Sequence, residues 1–267
     1  MKPEDIERVK DLLPTTLGSD EIREHFAREI LQRSVFSARM ASAHYLAKIR
    51  EVCTAISAGK INAADARAQL LTVLEQMGHS PLDEGGLKNP ASIRRLNLIL
   101  DTQRQMAASV ARLSEETEMT LQLDPAWELV RMGTRRVPRE DWPARWRAAG
   151  NSVGWEGAVK DRFIALKSSP IWQALGDGAG GFTDTLGNPY PPFAYSSGMD
   201  WKAVDRDTCI KLGLVKPDAG DKAGESDEAM KEAYERFKKK ASLSPDDKDL
   251  IEATERYGFD NLMEDLK

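Results

Sequence analysis

Trp127-Glu128-Leu129-Val130-Arg131-Met132 is the stretch on which the fold class turns. It alternates as a short half-buried strand does, whereas everything before it carries helical spacing. Arg162-Phe163-Ile164-Ala165-Leu166 reads as a second strand, and between and after these, Glu140 to Ala149 and Ile171 to Leu175 read as short helices. All six tryptophans fall between Trp127 and Trp201, with many of the prolines and glycines. This region is therefore expected to be an α+β module with long loops, held by large aromatic side chains.

Upstream, apolar residues recur at helical spacing from Ser19 to Lys60, with Ile22, Phe26, Ile30, Phe36, Met40, Leu46, Ile49 and Ile56 on one stripe. Ser19-Asp20-Glu21-Ile22 supplies a start and Gly59 a stop, so one long helix or two broken ones are predicted. A further helix runs from its Asn62 cap to Met77-Gly78, and another from Ala91 to about Glu118 after the loop containing Pro81, Gly85 and Gly86. The early part of this last helix is unusually polar, with Arg94, Arg95, Asn97, Asp101, Gln103 and Arg104 around an apolar seam. Short connections point to a helical bundle.

Downstream, Lys216 to Ser226 has too little hydrophobicity to pack and reads as a linker. Two charged helices follow, one carrying Met230, Tyr234 and Phe237, the other Leu250 and Ile251. The expected architecture is α+β and predominantly helical: a helical N-terminal region (1–123), a Trp-rich α+β module (124–215), a linker (216–226) and a small C-terminal helical appendage (227–267).

Of 267 residues, 41% are hydrophobic, enough for a substantial core. No apolar run reaches the ~18 residues of a membrane span, and Met1 to Asp5 has no apolar signal segment. The expectation is a soluble, non-secreted protein that contacts no membrane. Cys53 and Cys209 stand apart from each other and from any metal-ligand spacing. With 38 basic and 43 acidic residues the net charge is −5, against sequence-independent DNA binding by the whole chain.

Candidate chemistry is sparse. Gly176-Asp177-Gly178-Ala179-Gly180-Gly181 lacks the Gly-Lys-Ser/Thr of a phosphate loop and reads as a flexible loop. His25, His44 and His79 have no catalytic or metal-ligand spacing, and Asp246-Asp247-Lys248-Asp249 lacks the pattern of a calcium loop. Glu116-Thr117-Glu118 resembles the acidic pair of ADP-ribosyltransferases and Tyr195-Ser196-Ser197-Gly198 distantly resembles their serine motif. In that family the serine motif comes first, the reverse of the order here, and the alternative for Glu115, Glu116 and Glu118 is a solvated helix end. Arg135, Arg136 and Arg139, followed by Arg145 and Arg147 and interleaved with Trp142 and Trp146, form the strongest basic cluster. It reads either as a contact for nucleic acid or an acidic partner, or as a solvated face.

A longer pattern stands out from Ile93 to Leu214. It runs through Leu98 to Ala107, Trp127 to Arg131, Val137-Pro138-Arg139 with Trp142 and Trp146, and Ala165-Leu166-Lys167 with Pro170-Ile171-Trp172. It continues with Gly187-Asn188-Pro189-Tyr190-Pro191-Pro192-Phe193 and Ser197-Gly198-Met199, and closes with Val204-Asp205-Arg206-Asp207 and Leu212-Gly213-Leu214. In this order the segments resemble the phage Mu F-like minor head (head morphogenesis) proteins, over roughly half of the chain. The histidine- and cysteine-containing close that follows the Tyr-Pro-Pro block in better-known members is absent.

The resemblance implies a structural protein of the virion or prohead, made in the host cytoplasm, that binds portal or major capsid protein during capsid assembly. It implies no catalytic residue, cofactor or metal. Tyr190, Phe193, Tyr195 and Trp201 become candidate anchors in a partner surface, with the module's own core as the alternative. The other function classes are a DNA-associated packaging or ejection factor using the Arg135 to Arg147 cluster, and a divergent ADP-ribosyltransferase-like enzyme.

Overall fold

A computed structural model describes residues 1–83, 85–132, 140–155, 162–217, 231–232 and 234–235. The fold is α+β and predominantly helical, as the sequence pattern predicts. The chain divides into two compact units, one containing Met1–Ala111 and the other Arg112–Ser242. The division falls inside a helix, upstream of the change in sequence texture after Leu123.

The first unit opens with α1 (Pro3–Arg8), where proline occupies the first turn and Glu4 and Asp5 complement the helix's positive end. β1 (Asp11–Leu12) pairs in parallel with a later strand, Ser34–Val35. Between them lie α2 (Ser19–His25), where the Glu21 carboxylate accepts from the Gly18 N–H at 2.6 Å, and α3 (Arg28–Arg33). With Ser34–Val35 as β2, the chain continues into α4 (Ala43–Ser57), capped by Ser42, and α5 (Ala63–Gln76), whose first amides donate to the Asn62 side chain. α6 (Ile93–Glu115) follows. Tyr45, Leu46, Ile49, Val52 and Cys53 of α4 share a core with Leu70, Val73 and Leu74 of α5 and Leu96 and Leu100 of α6.

The predicted helical run from Ser19 to Lys60 is broken more than once, and the cause lies outside the run. Backbone groups between Ser34 and Met40 find partners elsewhere: Leu13 N–H donates to Val35 O at 3.0 Å, Thr15 N–H to Met40 O at 3.1 Å and Arg39 N–H to Leu17 O at 2.8 Å. The Arg95 guanidinium donates to Ser37 Oγ at 2.7 Å and also to Ala38 O. Non-local partners thus replace the i→i−4 ladder.

The polar start of α6 has the same explanation. Arg95 ties down the 37–38 and 87–88 segments, Asn97 accepts from Arg67 at 3.0 Å, and Gln103 Oε1 accepts from the buried Lys10 amine at 2.7 Å.

In the second unit α7 (Glu118–Leu123) carries a reciprocal cap between Thr117 and Thr120. β3 (Ala126–Arg131) is the centre of a three-stranded antiparallel sheet, flanked by β4 (Ile164–Leu166) and β5 (Met199–Val204). Trp127 lies opposite Ala165 on one side and Ala203 on the other, and Leu129 lies opposite Trp201. α8 (Trp142–Ser152), α9 (Ile171–Gly176) and α10 (Arg206–Lys211) complete the described elements, α10 being capped by Asp205. β3, β4, α8 and α9 fall where the periodicity puts them.

β5 adds a strand to the two expected. Met199, Trp201 and Ala203 alternate with Asp200 and Lys202 along it, a pattern obscured by the surrounding proline- and glycine-rich texture. Most of the predicted linker and C-terminal appendage, including Met230, Phe237, Leu250 and Ile251, lies outside the described residues; Lys231, Glu232, Tyr234 and Glu235 are helical.

Candidate functional site

The second unit is organised around stacked and edge-packed rings. Trp127 on β3 stacks on Trp201 of β5, with centroids 3.7 Å apart and planes 12° from parallel. Trp172 on α9 meets Trp127 edge-on at 6.0 Å, Trp146 of α8 at 5.4 Å and Trp201 at 5.7 Å, and stacks on Phe193 at 6.0 Å. Its indole N–H donates to Leu166 O at 2.9 Å, so this central ring is anchored by both packing and a hydrogen bond.

Between the two readings of Tyr190, Phe193 and Trp201, a partner surface or the module's own core, this placement decides for the core, and it corrects the reading of Trp142 and Trp146 as part of a partner contact or a solvated face. Trp142, Trp146, Tyr190, Phe193 and Trp201 are each at most 5% exposed and form the unit's own core. The sheet is small and has few aliphatic residues to cover it, so large rings do that work. Tyr195 is half-buried and remains the accessible member of the set. Arg135, Arg136 and Arg139 lie outside the described residues.

Arg145, though part of the same basic cluster, is 5% exposed and faces inward. Its Nε donates to Asp141 Oδ2 and its Nη2 to Asp184 Oδ1, both at 2.8 Å, and its guanidinium carbon lies 4.2 Å from the centre of the Phe182 ring. Two carboxylates and a ring face thereby hold a charge that the sequence pattern offered to nucleic acid. Arg147, on the same helix, is exposed.

The glycine-rich segment is a built turn rather than a flexible loop. A Cβ on Gly176 would lie 1.9 Å from Asn188 O, and one on Gly178, whose φ is +77°, 2.1 Å from Phe182 O. Gly187 N–H donates to Gly176 O at 2.9 Å and Gln173 Nε2 to Gly187 O at 3.3 Å. The glycines let two backbone segments touch, which seats the Tyr190–Phe193 loop against α9.

Glu116 is not a solvated helix end. The Lys167 amine, 1% exposed, lies 2.7 Å from both Glu116 carboxylate oxygens and 5.4 Å from the Trp127 ring centre. Thr120 Oγ1 also donates to Glu116 at 2.7 Å. Glu118 pairs instead with Lys231 at 2.9 Å, and Ser197 is buried with its hydroxyl accepting from Met199 N–H at 3.2 Å. The residues that resemble an ADP-ribosyltransferase site therefore hold structural bonds. Further bidentate pairs link Arg112 to Asp200 (3.0 and 3.3 Å) and Arg162 to Glu128 (2.8 and 2.7 Å). The second holds the Glu128 carboxyl below its usual range, chiefly through the Arg162 hydrogen bonds.

Both thiols are buried; desolvation pushes Cys53 well up and Cys209 up to about 11, which keeps them protonated. Among the described residues no group of three or more His, Cys, Asp or Glu stands close enough to hold a metal ion, and no helix is long and apolar enough to cross a membrane. No family model, curated protein or solved structure matches the chain.

Proposed function

We propose that this chain is a minor head protein that binds portal or major capsid protein during phage head assembly. The observation that carries the reading is how the segments quoted for the Mu F-like resemblance sit in the fold. Trp127, Trp146, Trp172 and Phe193 come from four of those segments and meet in one aromatic core. Val204, Leu212 and Leu214, from the closing segments, pack with Ala126, Ile164, Leu166 and Cys209 on a second cluster of the same unit. A sequence pattern whose separate pieces build one core belongs to a folded module, and a rigid module of this kind suits a recognition role. Partner contact then falls to the exposed surface around that core, including Tyr195, and not to the buried rings.

The test is affinity purification of the tagged full-length chain from cells that produce it in the course of phage growth, with mass spectrometry of the co-purifying proteins. Portal or major capsid protein recovered at a low, fixed ratio is the expected result. A preparation free of head proteins overturns the proposal.

A further inference from the structure

Among the described residues β5 is the last strand on its side of the sheet, whose order is β4-β3-β5. Its pairing with β3 fixes which of its backbone groups point away. Met132 N–H donates to Gly198 O at 3.0 Å, and the register continues that hydrogen-bonded set at every second residue: Val130 opposite Asp200, Glu128 opposite Lys202, Ala126 opposite Val204. The N–H and C=O groups of Met199, Trp201 and Ala203 therefore face outward, where a bare edge would pair with another strand. Side chains of the same unit close the first two. Met199 N–H donates to Ser197 Oγ at 3.2 Å, and Trp201 N–H to Asp200 Oδ1 at 2.7 Å. Arg112 Nη1, paired with Asp200 at 3.0 Å, reaches Trp201 O at 3.4 Å. Ala203 is exposed.

We propose that the outer edge of β5 is a self-complementary pairing edge and that Arg112, acting with Asp200, is the guard that keeps it closed. Two copies of such an edge meeting antiparallel can be centred on Asp200, Trp201 or Lys202. Centring on Asp200 or Lys202 sets like charges directly opposite, which is destabilising. Centring on Trp201 sets each Asp200 opposite a Lys202, twice by symmetry. These are non-hydrogen-bonded positions, where opposed side chains come closest. Charge thus selects one register, and in it Trp201 exchanges both of its outward hydrogen bonds with its own counterpart. Those are the two groups that Asp200 and Arg112 occupy in the fold, so guard and added strand compete for one residue. Charged side chains laid on an open edge are a means by which soluble sheets avoid pairing with one another, and what this guard excludes is a second copy of the chain. The inference is independent of the head-assembly reading.

Sedimentation velocity on a dilution series of the full-length chain is the test. Arg112→Met keeps the apolar stem and loses the donors, and is expected to dimerise at least about tenfold more tightly than the wild type. Adding Ala203→Pro removes an N–H that points away from β3, so the pairing with β3 survives while the open edge is blocked. The double variant should return to wild-type association, a rescue that aggregation from loss of fold does not produce. The register is read by mild oxidation, both native thiols being buried. Arg112→Met chains carrying Asp200→Cys should crosslink to those carrying Lys202→Cys at least about tenfold faster than either does to itself. An Arg112→Met chain that melts like the wild type and associates no more tightly, association that persists with Ala203→Pro, or self-crosslinking as fast as the mixed reaction overturns the proposal. If Arg112→Met does not fold, Arg112→Lys decides, because an ammonium cannot make the guanidinium's forked bonds: dimerisation at least about threefold tighter than wild type supports the guard, and equal association overturns it.

Discussion

Replacing Glu116 by glutamine removes the charge that faces the Lys167 amine without changing the side chain's shape. The amine is 1% exposed, lies 2.7 Å from both carboxylate oxygens, and has the Trp127 ring as its other neighbour. Breaking one partner of such a buried pair strands the other charge, at about 3–5 kcal/mol. Glu116 is 11% exposed, which sets the expectation at the lower end, about 3 kcal/mol. In a unit of this size that lowers the melting temperature by roughly 6–12 °C. Urea unfolding followed by tryptophan fluorescence reads the same loss, because Trp127 lies beside the pair. Pairing Glu116→Leu with Lys167→Met should recover much of it, giving a coupling above about 1.5 kcal/mol in the double-mutant cycle. A cost below about 1 kcal/mol for Glu116→Gln, with additive effects in the cycle, refutes the reasoning and returns Glu116 to a solvated helix end.

Three further outcomes are expected. Gly176→Ala drives a methyl group into Asn188 O and should destabilise the second unit by about 1–3 kcal/mol in a thermal melt, while a neutral result contradicts the close approach. Tyr190→Phe removes a fully buried hydroxyl that has no hydrogen-bond partner among the described residues, so stability should stay level or rise by up to about 1 kcal/mol. Glu7 is buried beside Lys10, and burial raises its carboxyl above the ordinary value of 4.5, with Lys10 and Arg104 opposing. The native state therefore binds more protons than the unfolded state above that value, and the Glu7 contribution is lost as pH rises from 4.5 through the raised native value. Urea unfolding across pH 4–8 should show the wild type losing stability relative to Glu7→Gln as pH rises; the opposite slope contradicts the assignment.

Local pattern carried the elements that depend on local pattern. The alternation at Trp127 marks β3, the Asn62 cap opens α5, and both lie where the periodicity puts them. What local pattern could not carry was pairing at a distance. Glu116 and Lys167 are 51 positions apart, and neither neighbourhood signals the other. Lys167 follows the apolar Ile164-Ala165-Leu166 directly, and a lysine at the end of such a strand is a cue to look for a buried partner.

The aromatic residues illustrate a different gap. Trp142, Trp146, Tyr190, Phe193 and Trp201 have the composition of an interface and the burial of a core, and composition is the same for both. The inward turn of Arg145 depends on Asp184, 39 positions away, so an arginine-rich run overstated the charge on offer. Tyr234 was visible as an apolar position on a charged helix, but its seat against Trp127 belongs to the tertiary fold.

The most direct test of the proposed role is the copy number of this chain in purified phage heads, measured by quantitative mass spectrometry against the major capsid protein. The chain is expected to remain with the particle through a density gradient at a low, fixed ratio. Its absence from particles purified out of cells that make it contradicts a role in the head.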